Sequence, residues 1–130
     1  MQFNTVNEWL QWQEGLHPTE IDIGLDRLQP TFRRLAIDFS SKIVFTVAGT
    51  NGKGSCVALL SAVLKKAGYR VATFTSPHLF AYSERIKVDD VCISDRDLCE
   101  VFGRIDTARQ NTSLTYFEFS TLAALLYFKQ

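Results

Sequence analysis

The segment from Gly49 to Ser55, which reads GTNGKGS, contains the residue types that bind phosphate. Glycines let backbone N–H groups approach an anion, a lysine neutralises its charge, and the N-terminus of a following helix adds further donors. The spacing departs from the standard pattern, because Val47 stands where the first glycine is expected and Gly54 separates Lys53 from the serine. The alternative is a glycine-rich turn with an incidental lysine, but so many matching features favour a phosphate site.

The elements around this segment follow the order that a phosphate loop requires. Residues 43–48 are a continuous apolar run, which predicts a strand buried on both faces of a parallel sheet. A helix from about Ser55 to Ala67 follows and ends at Gly68. Residues 71–75 then predict a second strand. This order implies a right-handed parallel crossover.

The remaining patterns complete the predicted fold class. Residues 85–88 and 91–93 flank two aspartates and predict a small β-hairpin. Helical patterns occur at residues 5–14, 25–36 and 117–128. A further helix is predicted after a cap at residues 94–97, and its apolar face comprises Leu98, Val101, Phe102 and Ile105. We therefore predict an α/β fold with a P-loop-type parallel sheet flanked by helices. The length of 130 residues is enough for one domain and too short for two.

Composition excludes several classes of protein. Fourteen lysine and arginine residues balance fourteen acidic ones, which argues against a general binder of nucleic acid or membrane surfaces. No apolar run is long enough for a transmembrane helix, and the N-terminus does not resemble a secretory signal. The cysteines at positions 56, 92 and 99 form no CxxC pair, so they predict neither a zinc site nor a disulfide framework. A cytoplasmic domain is the expectation.

A second chemistry-bearing segment, TSPHL, follows the second predicted strand. Ligands in open α/β sheets bind beyond the carboxyl ends of strands. Ser76 and His78 would then face the same crevice as the phosphate loop. An ordinary Ser-Pro turn explains the segment equally well from its spacing alone.

Two further segments are less specific by themselves. Thr115 and Glu118 have the spacing of a capping box at the start of the last helix. Residues 21–24, which read IDIG, predict a loop that enters the second helix. His17 precedes Pro18 and is interpreted as a surface or cap residue rather than a ligand.

Taken together, these segments resemble one family. TVAGTNGKGS, TSPHL with YSERI, LTYFEFSTLAAL and IDIGLDRL are similar to the N-terminal part of the bacterial folylpolyglutamate synthase/dihydrofolate synthases. That family belongs to the Mur-ligase-like group of ATP-dependent amide-bond-forming enzymes, in which GTNGKG is a variant of the phosphate loop. The similarity extends from about Trp9 to Phe128.

The resemblance implies a reaction and a set of site residues. ATP and Mg²⁺ would activate the carboxylate of dihydropteroate or a reduced folate as an acyl phosphate, which the α-amine of L-glutamate then attacks. The resemblance makes Lys53 the catalytic residue and Ser76 a Mg²⁺ ligand. The ATP-binding residues would be Thr50, Asn51, Gly52, Lys53, Gly54 and Ser55, and the pterin-binding residues Ile21, Asp22, Ile23, Gly24, Thr115, Tyr116, Phe117 and Glu118.

The family pattern also contains parts that this sequence lacks. These are a strand with a Mg²⁺-binding glutamate, a histidine ligand, a modified lysine and a C-terminal domain. Residues 1–130 are therefore interpreted as the N-terminal part of the ATP-binding domain of a monomeric ligase, inactive by themselves. One alternative is a non-catalytic module that binds nucleotide or phosphate. Another is a cell-wall ligase of the Mur type, although only about 40 residues precede the first predicted strand.

Overall fold

The computed structural model of the chain describes residues 3–18 and 24–129. The chain forms two compact units. The helical unit comprises Met1–Asp38 and Asp95–Gln130, and the loop unit comprises Phe39–Ser94. None of the helices in the described ranges is long and apolar enough to cross a membrane. In chain order the elements are α1 (Val6–Glu14), α2 (Gln29–Arg34), α3 (Lys53–Lys66), β1 (Ala72–Phe74), a 3₁₀ helix (Tyr82–Arg85), β2 (Ile86–Val88), β3 (Val91–Cys92), α4 (Asp95–Arg109) and α5 (Tyr116–Phe128).

The first helix of the helical unit begins at the predicted capping box. The backbone N–H of Glu8 donates to Thr5 Oγ1 over 3.3 Å, and the N–H of Thr5 donates to Glu8 Oε2 over 2.9 Å. These bonds satisfy donors that a helix end otherwise leaves without partners. α2 is shorter than predicted, and Pro30 lies in its first turn. The proline is tolerated there because the first turn needs no N–H donor at that position.

The core of the helical unit is built on three aromatic rings from three helices. Trp9 of α1, Phe102 of α4 and Phe119 of α5 are each 0% exposed. The ring centroids of Phe102 and Phe119 are 5.6 Å apart, and the Trp9 centroid lies 5.9 Å from Phe102. The predicted apolar face of α4 is buried in full, with Leu98, Val101, Phe102 and Ile105 at 2% exposure or less. Trp9 is therefore a central residue of this core.

A buried polar side chain lies one helical turn beyond Trp9. Gln13 is 1% exposed, and neither Nε2 nor Oε1 meets a hydrogen-bond partner among the described residues. An unsatisfied buried amide destabilises the folded state by about 1–3 kcal/mol. We expect Gln13→Leu, which has a similar volume, to raise the free energy of unfolding in urea by about 1 kcal/mol or more.

The matched control for this prediction is Gln11→Leu. Gln11 is exposed on the same helix, so its replacement should change the free energy of unfolding by less than about 0.5 kcal/mol. A Gln13→Leu variant that is less stable than the unchanged chain would show that the amide contributes to the fold.

The loop unit contains an antiparallel sheet with the strand order β1-β2-β3. The predicted hairpin is confirmed, with Val88 opposite Val91 and two aspartates between them. Asp89 and Asp90 have φ values of +50° and +68°, which a type I′ turn requires at both central residues. Lys65 Nζ in the last turn of α3 donates to Asp89 O over 3.1 Å and pairs with the Asp90 carboxylate. These contacts attach α3 to the hairpin.

The strand predicted over residues 43–48 is not formed. Ile43, Val44 and Phe45 expose 83%, 66% and 58% of their surface instead of being buried. A strand requires a neighbour for its backbone N–H and C=O groups, and none of the described residues pairs with this segment. β1, the predicted parallel neighbour, instead pairs antiparallel with β2. The α/β class and the small hairpin are confirmed, whereas the parallel sheet stays a prediction.

Candidate functional site

The phosphate loop in the loop unit leads directly into the N-terminus of α3. The helix begins at Lys53, two residues before the predicted Ser55, and its N-cap is Gly52 with a φ of +76°. A residue with a Cβ is strained at that φ, whereas glycine adopts it freely. No side chain caps this helix end in the described chain. The N–H groups of the first turn therefore remain available to an anion.

The lysine of the loop lies over the loop backbone. Lys53 Nζ donates to the carbonyl oxygen of Gly49 over 2.7 Å and is 3.4 Å from that of Thr50. All residues from 48 to 56 are exposed. The loop thus places one ammonium group beside uncapped helix donors on an accessible surface. This arrangement provides the charge and the donors for a phosphate group.

The segment after β1 is ordered by one carboxylate. Glu84 accepts hydrogen bonds from the backbone N–H groups of Leu79, Phe80 and Ala81 over 2.9, 2.9 and 2.7 Å. These hydrogen bonds favour the charged form and hold the pKa of Glu84 below its ordinary value of 4.5, with the Leu79 N–H making the largest contribution. The glutamate of the YSERI segment therefore fixes the backbone that follows SPH.

The low pKa of Glu84 predicts a pH dependence of this loop. A carboxyl group whose pKa is lowered in the folded state stabilises the fold above pH 4.5, and this stabilisation is lost as the pH falls through the folded pKa. We expect the amide proton shifts of Leu79, Phe80 and Ala81 to titrate together in NMR spectra, with a midpoint below 4.5. Glu84→Gln should abolish this shared titration, and a midpoint above 4.5 in the unchanged chain would contradict the assignment.

His78 is held by one cationic neighbour, Arg85, and one aromatic neighbour, Tyr82. Arg85 Nε donates to His78 Nδ1 over 2.8 Å, which leaves the imidazole proton of a neutral ring on Nε2. The Arg85 guanidinium lies 5.4 Å from the centroid of the Tyr82 ring, and the His78 ring contacts the same tyrosine at 5.9 Å. Ser76 precedes this cluster, is exposed, and is joined to Pro77 by a cis peptide bond. A crevice shared by Ser76, His78 and the phosphate loop stays a prediction.

The chemistry of Ser76 is compatible with a magnesium ligand but does not make a site alone. Its hydroxyl is a hard oxygen donor, which Mg²⁺ prefers, and this ion usually keeps several waters and binds substrate phosphates. The described residues contain no group of three or more His, Cys, Asp or Glu side chains that could hold a metal ion.

The predicted pterin residues of α5 lie in the helical unit. Thr115 and Glu118 form the predicted capping box, with the Thr115 N–H donating to Glu118 Oε2 over 2.7 Å. Glu118 is 8% exposed, Tyr116 is half-buried and Phe117 is 54% exposed. Of the other predicted pterin segment, Gly24 is exposed. Ile21, Asp22 and Ile23 lie outside the described residues.

A polar cluster that sequence reasoning missed surrounds Glu118. Arg27 Nη2 donates to Glu118 Oε1 over 2.7 Å, and the Arg27 Nη1 atom is 2.8 Å from His17 Nε2. His17 Nδ1 is 2.9 Å from Ser113 Oγ, so this histidine is half-buried in the cluster rather than at the surface. Arg27 belongs to the IDIGLDRL segment, and the resemblance of this segment to the family was the one signal that it takes part in the site. No local sequence pattern predicted which residue the arginine would contact. The structure thus joins the flank of one predicted pterin segment to the other.

A separate cavity of about 640 Å³ lies in the helical unit. It is lined by residues near the start of α1, at the end of α2 and along α4, including Phe3, Arg34, Cys99 and Arg104. None of the predicted site residues lines it.

Comparison with known proteins shows consistent similarity to one group of enzymes, although no family model matches the chain. It is 44% identical over 122 residues to the dihydrofolate synthase/folylpolyglutamate synthase of Escherichia coli, with 94% of the chain and 29% of that protein covered. It is 43% identical over 123 residues to the Haemophilus influenzae enzyme of the same name, with 95% of the chain and 28% of that protein covered. The chain therefore spans less than a third of the length of these relatives.

Solved structures agree with the sequence comparison. The Escherichia coli FolC structure in complex with DHPP and ADP superimposes with a TM-score of 0.95 at 42% identity, covering 100% of the chain and 32% of that protein. A bifunctional folylpolyglutamate synthase/dihydrofolate synthase with Mn, AMPPNP and L-glutamate bound gives a TM-score of 0.90 at 42% identity, with the same coverage. The fold of the chain is therefore that of the corresponding part of these enzymes.

Proposed function

The chain is homologous to the N-terminal portion of the dihydrofolate synthase/folylpolyglutamate synthases, and from this premise we propose that it is the nucleotide- and pterin-binding part of an ATP-dependent ligase. In the proposed reaction the γ-phosphoryl group of ATP passes to the carboxylate of dihydropteroate or a tetrahydrofolate, which yields ADP and an acyl phosphate. The α-amine of L-glutamate attacks the acyl carbon and loses a proton. The tetrahedral intermediate then expels phosphate and leaves an amide.

The observation that carries this proposal is the uncapped N-terminus of α3 behind a left-handed Gly52, with the Lys53 ammonium beside it. Backbone N–H groups of this loop would bind the ATP phosphates. Lys53 would neutralise the charge that builds on the γ-phosphoryl group during transfer. In the proposed site the phosphates are bound by Thr50, Asn51, Gly52, Lys53, Gly54 and Ser55.

Ser76 is the proposed protein ligand of Mg²⁺ from this chain. The ion would neutralise the charge of the nucleotide phosphates. Support comes from the solved relative that contains Mn and AMPPNP and from the exposed hydroxyl of Ser76. The Ser76 hydroxyl would occupy one coordination position of the ion and help to orient it.

The pterin substrate is proposed to bind in the helical unit. Its pocket would be formed by Ile21, Asp22, Ile23 and Gly24 together with Thr115, Tyr116, Phe117 and Glu118. Support comes from the contact of Arg27, just after the first segment, with Glu118 of the second. The half-buried Tyr116 and the exposed Phe117 offer aromatic surface to a planar ring.

We also propose a wider assignment for the chain. Residues 1–130 would be the N-terminal part of the ATP-binding domain of a monomeric, cytoplasmic enzyme that does not bind nucleic acid. The balanced charge supports the last point. The chain alone is not expected to form amide bonds, because relatives more than three times as long carry out the reaction.

The proposal is tested with the full-length protein that contains this chain. ADP release is measured with dihydropteroate and with tetrahydrofolate, each with and without L-glutamate. We expect glutamate-dependent ADP release with at least one of the two pterins, accompanied by a product that has gained one glutamate. ADP release that is independent of both pterins would contradict the proposed function.

A further inference from the structure

We infer that Arg27 is a positioning residue that, together with His17, forms a clamp on the start of α5 and fixes the Glu118 carboxylate for the pterin substrate. The inference rests on the proposed function for the identity of the ligand. It assigns a role to two side chains that neither the motifs nor the capping box explains.

The first contact of the clamp fixes the direction of the Glu118 carboxylate. Arg27 Nη2 and Glu118 Oε1 are 2.7 Å apart, with side-chain exposures of 20% and 10%. The second carboxylate oxygen accepts the N–H of Thr115 over 2.7 Å. Each oxygen therefore has its own charge-assisted partner, and such bonds are stronger than neutral ones. Capping alone would satisfy only one oxygen and leave the other free to turn.

The second contact attaches the opposite flank of the loop. His17 lies before residues 21–24, and Arg27 lies after them. The Arg27 Nη1 atom is 2.8 Å from His17 Nε2, and His17 Nδ1 is 2.9 Å from Ser113 Oγ, just before α5. Both flanks of the IDIG segment are thus attached to the start of the same helix.

This arrangement predicts how the clamp acts on the substrate. A carboxylate whose direction is already fixed loses less conformational freedom when a ligand binds, so part of the ordering is complete beforehand. Removal of Arg27 would release one flank and free one oxygen of Glu118. The effect should fall on binding of the pterin substrate, because the phosphate loop belongs to the other unit.

The test uses Arg27→Gln in the full-length protein, with Arg33→Gln as the matched control. Arg33 is exposed on α2 and is 3.5 Å from Gln29. We expect Arg27→Gln to raise the KM for dihydropteroate roughly tenfold or more while the KM for ATP stays within about twofold. Arg27→Lys, which keeps the charge but not the fork, should restore part of the loss. The control should leave both KM values unchanged.

A double-mutant cycle with Glu118→Gln shows whether Arg27 acts through the glutamate. If it does, Arg27→Gln should raise the KM much less in the Glu118→Gln background than in the unchanged protein. Additive effects, an unchanged KM for dihydropteroate, or equal rises for dihydropteroate and ATP would each overturn the clamp.

Amide hydrogen exchange separates the clamp from the proposed function. The Thr115 N–H donates to Glu118 Oε2, and its exchange should be faster in Arg27→Gln than in Arg33→Gln, whatever reaction the protein catalyses. Faster exchange in a protein without pterin-dependent ADP release would support the clamp and refute the ligase. Equal exchange rates would overturn the clamp.

Discussion

Lys53→Ala is expected to lower kcat/KM for pterin-dependent ADP release by about 10²–10³, with little change in thermal stability. This loss corresponds to the roughly 3–4 kcal/mol that one preorganised electrostatic donor supplies in a transition state. The side chain is exposed, and its bonds in the structure go to carbonyl oxygens of the phosphate loop. It therefore contributes charge to the site and little to the core.

The control for this prediction is Lys66→Ala. Lys66 is exposed in the last turn of α3, at the opposite end of the same helix. Its replacement should leave both kcat/KM and the melting temperature unchanged. Near-normal turnover in Lys53→Ala would contradict the assignment of the phosphate loop. A large fall in melting temperature would instead give Lys53 a structural role.

Trp9→Ala is expected to lower the free energy of unfolding by about 3–5 kcal/mol. The indole is 0% exposed and lies within 6.5 Å, between ring centroids, of Phe102 and Phe119. Its Nε1 also donates to the carbonyl oxygen of Phe3 over 3.1 Å. The substitution removes packing against two helices and leaves that carbonyl without its indole donor, so urea unfolding should shift strongly.

Trp12→Ala provides the comparison. Trp12 is half-buried on the same helix, and the Arg109 guanidinium covers its ring at 4.9 Å. Less apolar surface is returned to water when this ring is removed, so the destabilisation should be smaller. A larger loss for Trp12→Ala than for Trp9→Ala would show that the aromatic core is centred elsewhere.

The features that could be predicted from the sequence are local ones. The Thr5–Glu8 and Thr115–Glu118 boxes are spaced three residues apart, and both form at helix starts. The spacing of the α4 apolar residues likewise places them on one buried face. In each case the interacting groups lie within a few turns of one helix, so a short stretch of sequence contains the whole interaction.

The features that could not be predicted depend on distant parts of the chain. Arg27 and Glu118 are 91 residues apart, and His17 and Ser113 are 96 residues apart. No spacing rule connects such residues. The strand predicted over residues 43–48 was wrong for the same reason. Its apolar composition suits a buried strand, but the described residues offer it no partner. Strand formation depends on the neighbour as well as on the segment.

The phosphate loop could be predicted from the sequence in part. Its glycines, lysine and helix start are local, and the structure forms the helix end that they predict. The helix begins earlier than the apolar pattern suggested, because the left-handed Gly52 acts as its N-cap and Lys53 enters the first turn. This shift places the lysine next to the uncapped N–H groups.

The most direct test of the proposed ligase follows the oxygen atoms of the substrate carboxylate. Dihydropteroate labelled at its carboxylate with a heavy oxygen isotope is incubated with ATP, L-glutamate and the full-length protein, and the released phosphate is analysed by mass spectrometry. If an acyl phosphate forms, one carboxylate oxygen leaves with the phosphoryl group, so each turnover should transfer one labelled oxygen to phosphate. Unlabelled phosphate released alongside amide formation would contradict the account.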